Sequence, residues 1–134
     1  SLDVLLPESF TVYIDKDRFR QIILNLLTNA MAYTPEGGRI TVEARQEADR
    51  WWIRVADTGI GIPEEDLPRI FERFYRVDKA RSRESGGTGL GLAIVKHLVE
   101  VHRGEIQVNS RVGEGTEFKL IFPFNAEDKG FDKG

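Results

Sequence analysis

Between Asp15 and Tyr33 the apolar residues Phe19, Ile22, Ile23, Leu26, Leu27 and Ala30 recur at helical spacing. The segments that follow, "GRITVEARQ" and "RWWIRVAD", switch to alternation, with Ile40, Val42 and Ala44 and then Ile53 and Val55 on one face. A helix with one apolar stripe and strands with one apolar face cannot bury those surfaces alone, so each needs the other as its cover. Asp15 or Asp17 can cap the helix, Thr34-Pro35 and the Gly37-Gly38 pair end it, and the strands form a hairpin turning near Glu47 to Arg50. "LDVLL" and "TVYI" at the front, and "EIQVNS" and "TEFKLIFP" near the end, read as further strands. "PEEDLPRIF" reads as a short helix with Pro63 in its first turn. A second long helix is expected from about Leu90 to Val101, with Leu90, Ile94, Leu98 and Val101 on one face and Gly104 at its end. The expected fold is a two-layer α/β sandwich, with about three helices on one face of a mixed, mainly antiparallel sheet.

At 134 residues this is one domain, expected over residues 1–125, followed by a charged, glycine-containing tail at 126–134 that is expected to be disordered. The chain opens on Ser1 without a basic leader and reads as a piece of a longer protein. No apolar run approaches the roughly 18 residues a membrane span needs, so no direct membrane contact is expected of it. There is no cysteine, which excludes disulfides and thiolate metal sites. The net charge of −3 argues against a nucleic-acid partner. Residues 72–86 depart from that balance: Arg73, Arg76, Lys79, Arg81 and Arg83 outnumber Glu72, Asp78 and Glu84 in a basic, weakly patterned loop.

Three stretches could carry chemistry. Asn25 and Asn29 lie four apart on the first helix and project from one face. An amide oxygen is a hard, neutral ligand that can complete a magnesium shell, and two such residues can equally be polar boundary positions. In "VADTGIGIP" a strand ends on Asp57, a carboxylate that can accept from an exocyclic amine while Gly59 and Gly61 let a flat ring approach; an ordinary turn is the other reading. Only one "DTG" is present, and long helices do not fit the all-β aspartic proteases, which need a pair. "GGTGLGL" precedes an apolar helix whose exposed amides would attract phosphate, with glycine at 87, 89 and 91 avoiding crowding. There is no "GxxxxGK[ST]", so a P-loop is excluded, and no "HRD" or "DFG", so the eukaryotic-type protein kinases are too.

"DKDRFRQIILNLLTNAMAYT", "DTGIGIP", "FERFYRVD", "GGTGLGLAIV" and "GEGTEF", in that order and spacing, resemble the ATP-binding catalytic domain of bacterial sensor histidine kinases. This is the Bergerat or GHKL fold, and the likeness is to the phosphate-sensor and cell-wall-sensor type. It runs from about Leu2 to Pro123. The resemblance implies that Asn29 ligates magnesium and that Asn25, a catalytic residue by this likeness, sits beside the phosphates or a metal-bound water. It implies that Asp57 binds the adenine amino group, that Gly59, Gly61 and Ile62 shape the ring pocket, that Tyr33 lies over the purine or ribose, and that Thr116 supports the floor behind Asp57. Residues 72–86 would be a mobile lid rooted by Phe71 and Phe74, with Arg76 reaching toward the terminal phosphate as a second catalytic group. Gly87, Thr88, Gly89, Leu90 and Gly91 would complete the nucleotide-binding set, the glycines through backbone amides.

Where many members of that family have lysine, in "NAxKYT", this chain has Ala32, so one phosphate-contacting cation is missing. Related ATPases place a glutamate where Asn25 stands and use it to activate water. An amide cannot take that proton, which implies slow hydrolysis and retention of ATP for another acceptor. The implied partners are a histidine-bearing dimerisation domain of the same parent, with a motif like "HELRTP" that does not occur in this chain, and through it a response regulator. The implied location is the cytoplasmic side of a membrane-anchored parent. A regulatory ATP-binding module of the same fold, a degenerate kinase or anti-sigma-like protein, is the alternative. His97 and His102 read as structural, and Trp51-Trp52 as strand packing.

Overall fold

The computed structural model describes residues 2–5, 15–73 and 91–123. The elements run β1 (Leu2–Leu5), α1 (Lys16–Tyr33), β2 (Ile40–Gln46), β3 (Arg50–Asp57), a 3-10 helix (Glu64–Arg69), α2 (Gly91–Val101), β4 (Glu105–Arg111) and β5 (Gly115–Pro123). The expected strand "TVYI", the expected lid from Phe74 onward and the expected tail lie outside the described residues. The sheet order is β1-β2-β3-β5-β4, with β1 and β2 parallel and the other three pairs antiparallel. This is the expected mixed, mainly antiparallel sheet. No described helix is long and apolar enough to cross a membrane.

Alternation decides which side of the sheet is covered. Ile40, Val42 and Ala44 of β2, Trp51, Ile53 and Val55 of β3, and Phe118, Leu120 and Phe122 of β5 are buried on one face. Against them α1 lays Ile22, Leu26 and Ala30, at the i, i+4, i+8 spacing of a single stripe. Trp51 stacks on Phe122 with ring centroids 4.6 Å apart, and Phe19 meets Trp51 at 6.0 Å, so Trp51 is core packing as expected. Trp52, on the opposite face, donates its indole N–H to Glu47 and carries Lys119 over its ring. Asp15 caps α1, its Oδ1 accepting from the N–H groups of Asp17 and Arg18.

Three local expectations are corrected. The segment after Pro63 is a short helix as expected, but of 3-10 type, with Pro63 at its N-cap rather than in its first turn. Asp66 N–H donates to Pro63 O, an i→i−3 bond, and the Pro68 ring would clash with the i−4 carbonyl in an α-helix. In α2 the buried residues are Val95, Leu98 and Val99, whereas Val101 is 50% exposed. The helix packs on both α1 and β4, so its buried arc runs through 95, 98 and 99, and Val101 is left facing solvent. Its end is a Schellman motif, in which Gly104 N–H donates to Val99 O and Arg103 N–H to Glu100 O. The left-handed residue is Arg103, at φ 62°, one position before the glycine expected there. Gly104 serves a different need, since a Cβ on it would lie 2.7 Å from the Phe122 ring. Arg103→Gly is therefore expected to stabilise the fold by about 1 kcal/mol, the cost of holding an L side chain in this region, which a urea titration would measure.

His102 is structural, as expected. Its Nδ1 lies 2.8 Å from Leu98 O, and its Nε2 receives the Asp15 N–H at 3.4 Å, tying the end of α2 to the start of α1.

Candidate nucleotide site

The apolar inner face of the sheet gives way to polar residues at one end. In β3, Trp51, Ile53 and Val55 point inward, and the same alternation turns Asp57 inward one step beyond them. Asp57 pairs with Thr116 of β5, and Thr116 pairs with Ser110 of β4, so three polar side chains form a row across three strands. Asp57 Oδ1 accepts from Gly59 N–H at 2.8 Å and Thr116 N–H at 3.2 Å. Burial pushes its carboxyl above the ordinary 3.8, and the two backbone N–H groups pull the other way. Thr116 is 6% exposed, the one buried polar residue among those described.

The loop after Asp57 is held from two sides. Ile60 N–H donates to Tyr33 O at the end of α1, and Gly113 N–H in the β4–β5 turn donates to Ile60 O. Ile62 N–H donates to Ser110 Oγ at 2.7 Å. Gly59 lies against the Tyr33 carbonyl so closely that a Cβ would overlap it. Gly61, at φ +78°, is pressed on Arg111 in the same way. The structure thus gives Tyr33 a backbone role, receiving the loop that carries Asp57, which its side-chain chemistry did not suggest.

Asn25 and Asn29 lie half-buried on α1, and among the described residues neither side-chain amide takes a hydrogen bond. A half-buried amide without a partner is a group still able to receive a ligand. The first residue of α2, Gly91, faces Asn25: a Cβ on Gly91 would stand 3.9 Å from Asn25 Cγ, an ordinary contact. Packing among the described residues therefore does not require glycine at 91. Phe71 meets Phe118 edge-on at 6.2 Å with Lys96 Nζ 5.5 Å from its ring, which fixes the chain just before residue 74. Phe74, Arg76, Gly87, Thr88, Gly89 and Leu90 lie outside the described residues. Among those described, no cluster of three His, Cys, Asp or Glu residues could hold a metal. The fit for magnesium rests instead on the two amide oxygens, hard ligands of the type that complete a shell of water and phosphate.

Sequence reasoning missed Ser110. The signal was available in "SRVGEGT", where a glycine turn between Ser110 and Thr116 sets the two hydroxyls opposite each other in a hairpin.

Residues 14–126 match the family described as histidine kinase-, DNA gyrase B-, and HSP90-like ATPase. The sensor histidine kinase WalK of Bacillus subtilis is 46% identical over 120 residues, covering 88% of this chain and 20% of its own length. The chain thus spans about a fifth of that relative. Among solved structures, the mycobacterial sensor histidine kinase MprB superposes with a TM-score of 0.78 at 32% identity, covering 93% of this chain and 84% of that one. Full-length ShkA in complex with AMPPNP also gives 0.78, at 34% identity, covering 92% of this chain and 25% of that one. The chain belongs to the histidine kinase-, gyrase B- and HSP90-like ATPases, as an ATP-binding catalytic domain of the sensor histidine kinase type.

Proposed function

We propose that this domain binds Mg-ATP between α1, the Asp57 loop and the start of α2, and donates the γ-phosphoryl group to a histidine on a separate helical domain of its parent. The observation that carries the reading is the row of Asp57, Thr116 and Ser110, which closes one end of the inner sheet face with a carboxylate that burial alone would disfavour. A group kept there against desolvation needs a use, and accepting from the adenine amino group supplies one. On α1, Asn29 and Asn25, whose side chains take no hydrogen bond among the described residues, offer amide oxygens for magnesium and its waters. Bound magnesium would neutralise phosphate charge. Gly91, where the described residues leave ordinary room for a Cβ, stands at the start of α2, whose first amides would face the phosphates. Ile62 and Tyr33 bound the ring pocket, and Arg76 with Gly87, Thr88, Gly89 and Leu90 complete the site from the lid.

The protein supplies position and charge rather than a base. Asn25 cannot accept a proton from water, so hydrolysis is slow and the phosphoryl group waits for a better nucleophile. The response regulator and the membrane anchor belong to the parent protein in this reading. Ala32, in place of the usual lysine, favours the second reading, a regulatory ATP-binding module.

Asn29 gives the test. Wild-type affinity for ATP should fall about tenfold when EDTA replaces magnesium. Asn29→Ala should bind equally weakly under both conditions in a calorimetric titration, and a variant that keeps the full magnesium effect contradicts the ligand role.

A further inference from the structure

Ser110 lies at the meeting point of three contacts, and a count of hydrogens fixes the direction of each. Ile62 N–H donates to its Oγ at 2.7 Å. Its Oγ lies 3.0 Å from the carbonyl oxygen of Gly115, which has no hydrogen of its own, so the Ser110 hydrogen lies in that contact. The Ser110 and Thr116 hydroxyl oxygens are 2.8 Å apart, and the hydrogen between them must come from Thr116. Were the Ser110 hydrogen turned toward Thr116 instead, two bare oxygens would face each other at the Gly115 carbonyl. Ser110 is then saturated, donating once and accepting twice.

The consequence falls on Thr116. With its hydrogen committed to Ser110, its hydroxyl has only lone pairs left to present. Asp57 is in the same state: Oδ1 holds the N–H groups of Gly59 and Thr116, and an ionised Oδ2 can only accept. We propose that Ser110 is a positioning residue that locks the Thr116 hydroxyl as an acceptor, so that the pocket floor selects a 6-amino purine against a 6-oxo purine. The inference rests on the reading of Asp57 and Thr116 as base-binding residues. A 6-amino group brings N–H donors to two acceptors, whereas the oxygen of a 6-oxo group meets two groups that have no hydrogen left to give. A free hydroxyl would rotate to meet either group; a locked one cannot.

Three nucleotides separate the two outcomes in the wild-type chain: ATP, ITP, and the triphosphate of purine riboside, which has hydrogen at position 6. The locked floor predicts that ATP binds best, the unsubstituted purine next and ITP worst, with ATP about 100-fold ahead of ITP. Ser110→Ala frees the Thr116 hydrogen, and the ATP-to-ITP ratio should fall about tenfold. Ser110→Thr should restore it, and Ser110→Ala with Thr116→Val should match Thr116→Val alone, since Ser110 acts through that hydroxyl. A wild-type ratio in folded Ser110→Ala, or ITP binding as tightly as the unsubstituted purine to wild type, overturns the proposal. If wild type does not favour ATP over the unsubstituted purine, the base-pocket reading itself fails. Should Ser110→Ala not fold, Ser110→Gly, which also removes the hydroxyl, makes the same comparison.

Discussion

Asp57→Asn is expected to weaken ATP binding about 100-fold while leaving the apparent melting temperature at pH 7 unchanged or higher. The two effects separate because the fold and the ligand use different atoms of this side chain. The fold uses Oδ1, which accepts from Gly59 and Thr116 N–H, and asparagine keeps that oxygen. In the proposed site the ligand would use the second oxygen, which asparagine replaces with an NH2 group that would meet the adenine amine donor to donor. Stability moves the other way because burial raises the Asp57 pKa above 3.8, so the ionised form is the one the fold disfavours. For a group raised in this way, the favourable difference is fully present below the unfolded value and is lost as pH rises through the folded value. The variant carries no such group. Its stability relative to wild type should therefore be lowest below pH 3.8, rise with pH through the folded pKa and stay level to neutral pH. Thermal melts across that range and ATP titrations check both halves, and wild-type ATP affinity in the variant would mean that Asp57 only shapes a turn.

The glycines divide into those the fold needs and those it does not. Gly59→Ala is expected to destabilise the domain by about 3 kcal/mol, since its Cβ would overlap the Tyr33 carbonyl and crowd Asp57 Oδ1 at 2.9 Å. Both are fixed, Tyr33 O by Ile60 N–H and Asp57 by its pairing in β3, so the strain has no outlet. Gly91→Ala should behave in the opposite way. Among the described residues its Cβ makes only ordinary contacts with Asn25, and alanine is accepted in a helix at least as well as glycine. This variant should fold at least as well as wild type yet bind ATP more weakly, because the new methyl stands at the amide end where phosphate would approach. Denaturant titrations of both variants beside their ATP affinities make the comparison, and a Gly91→Ala protein with undiminished affinity would remove Gly91 from the site.

Elements governed by short-range pattern were legible in the sequence. The stripe of Ile22, Leu26 and Ala30 and the alternation through Val42, Val55 and Phe118 each follow from a local period, and the structure has them where the period puts them. Asp57 was legible as a residue but its partners were not, because what joins it to Thr116 is pairing between distant segments. Asp57 meets Thr116 across β3 and β5, 59 positions apart, and no local pattern announces that register. The misread features depend on competition between neighbours. The short helix after β3 is 3-10 with Pro63 at its N-cap rather than in its first turn, and Arg103 takes the left-handed position while the Phe122 ring holds position 104 to glycine.

The central claim is phosphoryl transfer to a histidine outside this chain, and the direct measurement is to supply that acceptor. The domain would be mixed with the separately produced helical domain of its parent and with ATP labelled at the γ-phosphate, in magnesium. An acid-labile, base-stable label on the helical domain is the predicted result, absent with Asp57→Asn. ATP binding to the wild-type domain with no label reaching the helical domain would contradict the account and leave a nucleotide-binding regulatory module in its place.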